Sequence, residues 1–291
     1  MKKDDIDNTA APLIEHLAEL RTRLIRSVLA FVVCMIVSFA VAQPIFNFLA
    51  IPLMDAMRDF GQRPELIYTG LQQGFMVQVR ISIFGGFVLA FPIIAHQLWR
   101  FVAPGLYRQE KRAFLPFLFA SPILFLIGAT FAYLVVLPFA FRFFLGFQQF
   151  GADFGADLRE LEGAIEAGEA LTVQFLGTIN EYLGLTMQFI VAFGLCFQLP
   201  VLLTLMGNAD LISSQSLADV RKYAIVGILA LAAIVTPPDV VTQVILFAAV
   251  YPLYEISILL VRMVERQRER ELRAQGLWDD EETDTALKEK S

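Results

Sequence analysis

Histidine and cysteine are nearly missing from this chain, with two of each among 291 residues. His16 and His96 are too few for a histidine cluster. Cys34 and Cys196 both lie inside apolar runs, which supports neither a disulfide framework nor a thiolate metal site. The fragment HLAEL, His16 to Leu20, opens like a zinc-protease helix but lacks the second histidine four residues after the first, so no metal is expected. Charge is scarce as well. Only 18% of residues are charged while 57% are hydrophobic, 27 residues being Phe; a soluble globule is about 45–50% apolar. That excess belongs in a membrane. No nucleophile is paired with a base, so neither an enzyme nor a cofactor is expected.

A helix needs about 20 mostly apolar residues to cross about 30 Å of hydrocarbon. Six stretches are read as spans, at about 24–42, 75–102, 114–141, 175–206, 223–236 and 240–261. The fifth is too short to cross squarely, and Pro237 and Pro238 end it. The predicted fold class is an all-α integral membrane protein: one six-helix domain over residues 1–262, then a charged tail, 263–291, that frays toward disorder. Most of the 23 basic residues fall before the first span, between the second and third, before the fifth and in the tail. The bias of Lys and Arg toward inner loops then places both termini in the cytoplasm. Ala40-Val41-Ala42 has the form of a leader-cleavage site, but the preceding polar region carries Asp4, Asp5, Asp7, Glu15 and Glu19. That is unlike a short basic leader, so the first span is expected to be retained.

Two outer connections differ in character. QPIFNFLAIPLMDAMRDF sets Ile45, Phe46, Leu49, Leu53 and Met57 on one helical side, which predicts a helix lying in the outer interface and bent at Pro52. Residues 151–170 are acidic and predict one short surface helix.

Four motifs carry a resemblance. PLIEHLAELRTRL before the first span, LWRFVAPGLYRQEKR between the second and third, GLCFQLPVLL in the fourth and VTPPDVVTQ at the last hairpin together resemble TatC, the multispanning subunit of the twin-arginine protein translocase. The resemblance runs from Pro12 to Arg262 and fails in the acidic outer connection and the tail. It implies a cup-shaped six-helix protein of the cytoplasmic (inner) membrane that recognises twin-arginine signal peptides. With small TatA- and TatB-like partners, such a protein moves folded cargo outward on the proton-motive force.

The resemblance also implies a signal-peptide site at Glu19 and Glu110, with Arg21 and Phe101 at matching positions. On their own terms these residues also have plainer uses. Glu110, among Arg108, Lys111 and Arg112, would favour the dipole of the third span by about 0.3–1 kcal/mol. Glu19 gains about 0.3–0.5 kcal/mol from Arg23 four residues on and loses about as much to Glu15, which leaves it available. Arg21 sets orientation and Phe101 anchors an interface equally well. A carboxylate suits a ligand arginine because a planar guanidinium forms two parallel hydrogen bonds with it.

Gln198 stands where TatC proteins commonly carry glutamate, and an amide cannot carry a proton. It is read as a hydrogen-bonding group that bonds across helices, faces a wet concavity or contacts a partner helix. Thr236 and Gln243 are partner-helix candidates by resemblance. Pro52, Asp239 and Glu255 match family positions; Asp239 also reads as the cap of the sixth span. Glu255 is an intramembrane carboxylate, functional by default or else reaching Arg262 or water. Arg80 is left inside the second span with no assigned role. The alternative function is a proton-coupled transporter of a small solute, which requires a midplane site in discontinuous helices.

Overall fold

The computed structural model describes residues 3–102, 111–147, 177–236 and 240–274. Helix α1 (Lys3–Ala40) is long because no glycine or proline interrupts Leu17–Ala40. After Val41 the chain enters α2 (Ala42–Asp59), then the two-residue strand β1 (Leu66–Ile67) and α3 (Gln73–Val102). Helix α4 (Lys111–Phe131) passes through one π-helical turn, Ala132–Val136, and continues to Phe147. Pro138 accounts for that turn, because its ring carries no N–H and crowds the carbonyl of Leu134. Strand β2 (Gly177–Thr178) pairs in parallel with β1, Leu66 opposite Gly177. Then come α5 (Ile179–Cys196), α6 (Leu199–Asn208), the short α7 (Ser214–Asp219), α8 (Arg221–Val235) and α9 (Val240–Ala274). The break between α5 and α6 falls just ahead of Pro200, which cannot donate to Cys196.

Among the described residues, five helical stretches are long and apolar enough to cross a membrane: Leu17–Ala40, Gln73–Phe101, Phe117–Phe147, Ile179–Asn208 and Val240–Arg270. Helix α8, the fifth stretch of the sequence reading, has 15 residues. It supplies about 22 Å against about 30 Å of hydrocarbon.

Helices α1 and α3 run antiparallel, since the start of α1 meets the end of α3 through Arg23 and Gln97. One face therefore holds the beginning of α1, the end of α3 and the end of α9. The opposite face, called here the hairpin face, holds α2, β1, β2 and the end of α8. Small residues bring the helix pairs together. A Cβ on Gly86 of α3 would lie 2.7 Å from Met35 Cα of α1, and one on Gly128 of α4 would lie 2.6 Å from the Phe193 carbonyl oxygen of α5. Phe125, Phe189, Phe193 and Leu246 are wholly buried between helices. Leu24, Val28 and Leu29 face outward, as lipid allows.

The helix α2 departs from expectation. Its apolar side is covered by protein and not by the lipid interface: Leu49, Leu53, Ala56 and Met57 are buried in the main core. Pro52 removes the N–H that would bond the Phe48 carbonyl. The Tyr133 hydroxyl donates to that carbonyl instead, at 2.7 Å, with its ring stacked on Phe48 at 4.4 Å. Tyr182 of α5 donates to the neighbouring Leu49 carbonyl.

Candidate functional site

At the face where α1 begins, Arg23 aims its guanidinium fork at Glu19, one turn earlier on the same helix side. Nε donates to Glu19 Oε1 at 2.9 Å and Nη2 donates to the same oxygen. Nη1 reaches Gln97 Oε1 on α3 at 3.5 Å. Glu19 is thus held in place, where its near-cancelling helical terms had predicted little local use. The cost of burying an arginine explains the arrangement: the Arg23 side chain is 14% exposed, and a guanidinium so covered requires acceptors. Both bonds fall on one oxygen, so Oε2 of Glu19 makes no hydrogen bond to the described residues. The carboxylate itself is 33% exposed. Arg21 is exposed and makes no pair among the described residues, and Phe101 is half-buried at the end of α3. Glu110 lies outside the described residues.

In the interior, Gln198 at the α5–α6 break is engaged within the chain. Ser121 Oγ donates to its Oε1 at 2.6 Å, and its Nε2 donates to the Ser121 carbonyl at 2.9 Å. Both ends of the amide thus bind one residue of α4, in keeping with the reading of a hydrogen bond across helices within the chain. It also leaves this helix break without the open polar site that a solute transporter requires.

Near the last hairpin, Gln243 donates to the Leu229 carbonyl at 3.1 Å, tying α9 to α8. Thr236 is buried and bonds back to the Ala232 carbonyl at 2.9 Å. Asp239 lies outside the described residues. Glu255 takes the fork of Arg221, Nε at 2.9 Å and Nη2 at 3.0 Å, and accepts from the Tyr251 hydroxyl at 3.0 Å. Its partner is Arg221 and not Arg262, because α8 begins beside the middle of α9. Pairing with Glu255 pushes Arg221 further above its ordinary range. Pro52 lines a cavity of about 220 Å³ on the hairpin face with Asp55, Tyr133 and Arg142.

A family model described as Sec-independent protein translocase protein (TatC) matches residues 15–248. The chain belongs to the TatC family. A TatC of Magnetococcus marinus is 42% identical over 94% of this chain and 95% of its own length. One of Aquifex aeolicus is 36% identical over 88% and 97%. A crystal structure described as the twin-arginine translocase receptor TatC superposes with a TM-score of 0.69, at 36% identity, covering 86% of this chain and 99% of its own. This TatC-family chain is therefore a multispanning membrane component of Sec-independent protein translocation.

Sequence reasoning missed several members of these constellations. Ser121 left a faint trace, as a hydroxyl in an apolar run. Gln97 left none, because only the antiparallel packing of α1 on α3 brings it to Arg23.

Proposed function

We propose that this chain is the signal-peptide receptor and core subunit of a twin-arginine translocase. It lies in the cytoplasmic membrane with both termini inside, and with TatA- and TatB-like single-span partners it exports folded proteins on the proton-motive force. Family membership supports the translocase part. The observation that carries the receptor part is the pinned carboxylate of Glu19, whose Oε2 makes no hydrogen bond to the described residues. A signal-peptide arginine docks on Oε2 while Arg23 holds Oε1, and Glu110 supplies a second acceptor. Arg21 and Phe101 border this site, and Gln243 and Thr236 mark the hairpin for a partner helix.

Magnitudes assign the roles. Two charge-assisted contacts of about 1.5–3 kcal/mol each correspond to a dissociation constant between about millimolar and tens of micromolar. The carboxylates therefore discriminate, and the apolar part of the signal peptide supplies the rest. The test is export of a folded reporter with a twin-arginine signal, in cells whose only TatC is this chain. Export that stops when the proton gradient is collapsed, or when the arginine pair becomes lysine, agrees with the proposal. Export indifferent to both overturns it.

A further inference from the structure

An open cleft of about 620 Å³ runs between α1, α3, α5 and the end of α8, lined by Phe31, Phe84, Phe87, Met187, Ala192 and Val235. Its walls are apolar except at one rim, where Arg80 and Gln188 stand. Gln188 Nε2 is taken by the Val235 carbonyl at 2.7 Å. Arg80 is exposed and makes no hydrogen bond or ion pair among the described residues. A guanidinium at the rim of an apolar cleft, with no acceptor among the described residues, is free to take an anion.

The depth of Arg80 says which anion. About 30 Å of α3 separates Arg80 from Arg100 at about 1.5 Å per residue, which is about one hydrocarbon thickness. With Arg100 at one boundary, Arg80 stands at the other, the level of lipid headgroups. The rim also includes Val235, the end of α8, and that helix falls roughly 8 Å short of the hydrocarbon thickness.

We propose that this cleft is a phospholipid site of the hairpin-face leaflet: the phosphodiester sits on the Arg80 guanidinium, and an acyl chain lies between Phe87, Ala192 and the helices beside them. A guanidinium matches phosphate oxygens with two parallel hydrogen bonds, and the apolar walls suit a hydrocarbon chain. The site is independent of the signal-peptide reading, since it lies at the other boundary of α3 from Gln97.

The experiment titrates the purified full-length protein with phosphatidylglycerol and with diacylglycerol of the same acyl chains, counting bound lipid by native mass spectrometry. Phosphatidylglycerol is expected to bind at least about ten-fold more tightly, the span of one charge-assisted contact. Arg80→Gln should abolish that preference and Arg80→Lys should keep most of it. Ala192→Trp, which fills the cleft, should weaken both lipids alike. Equal binding of the two lipids by the natural protein would overturn the site, and would point to a carboxylate of another segment or chain on Arg80. A preference undiminished in Arg80→Gln would overturn it too.

Discussion

The Tyr133 hydroxyl donates to the Phe48 carbonyl at 2.7 Å, and that carbonyl is the one Pro52 leaves without a helical donor. A proline that would weaken an isolated helix thereby fixes α2 to α4. Tyr133→Phe keeps the stacked ring and removes the donor from an exposed hydrogen bond. A loss of about 0.5–1.5 kcal/mol is expected, read as a lower thermal midpoint in detergent. Tyr133→Phe in a Pro52→Ala background should cost much less, because the helix then supplies its own donor.

Helix contact through Gly86 and Gly128 predicts a sharp dependence on one methyl group. Met35 backbone and the Phe193 carbonyl stand where the new Cβ would go, and neither belongs to a flexible side-chain end. Gly86→Ala and Gly128→Ala should each cost about 1–3 kcal/mol by overpacking. Gly184→Ala and Gly227→Ala, with no atom within 4 Å of the added carbon, should be neutral in the same melting assay.

Gln198 and Ser121 predict a structural role at the α5–α6 break. Hydrogen bonds between membrane helices average about 0.6 kcal/mol, so Gln198→Ala should lower stability slightly and leave signal-peptide crosslinking unchanged. Gln198→Glu sets a carboxylate oxygen against the Ser121 carbonyl in place of an N–H. Only the protonated acid donates there, so this variant should gain stability as pH falls, which thermal melts at several pH values would detect. A flat profile would show that water and not Ser121 surrounds the position.

The difference between these sites and the sequence reading is one of range. Apolar run length located the five long membrane helices, because crossing hydrocarbon imposes a length that one chain segment must meet by itself. The one-turn spacing of Glu19 and Arg23 was legible, but not that burial of Arg23 against α3 would make it hold the carboxylate. What stayed hidden depends on packing between segments: Arg221 beside Glu255, Ser121 beside Gln198, and the apolar side of α2 turned to protein. The amphipathic pattern of α2 fits a lipid interface and a protein interface equally well, so pattern alone could not choose.

Arg23 makes a prediction with a sign. Holding Oε1 of Glu19 and anchored to Gln97, it orients the carboxylate for a ligand. Arg23→Gln should therefore weaken twin-arginine peptide crosslinking several-fold, less than removing Glu19 itself. Tighter binding would mean that Arg23 merely competes with the ligand for the carboxylate.

The central claim is that Glu19 reads the arginine pair. The direct measurement crosslinks photoreactive signal peptides, one with Arg-Arg and one with Lys-Lys, to membranes carrying either the natural chain or Glu19→Gln, and compares the four affinities. The account predicts that the natural chain prefers Arg-Arg by about ten-fold or more, the value of one charge-assisted contact, and that Glu19→Gln loses most of that preference while still binding the apolar part of both peptides. A Glu19→Gln chain that distinguishes Arg-Arg from Lys-Lys as well as the natural one would contradict it.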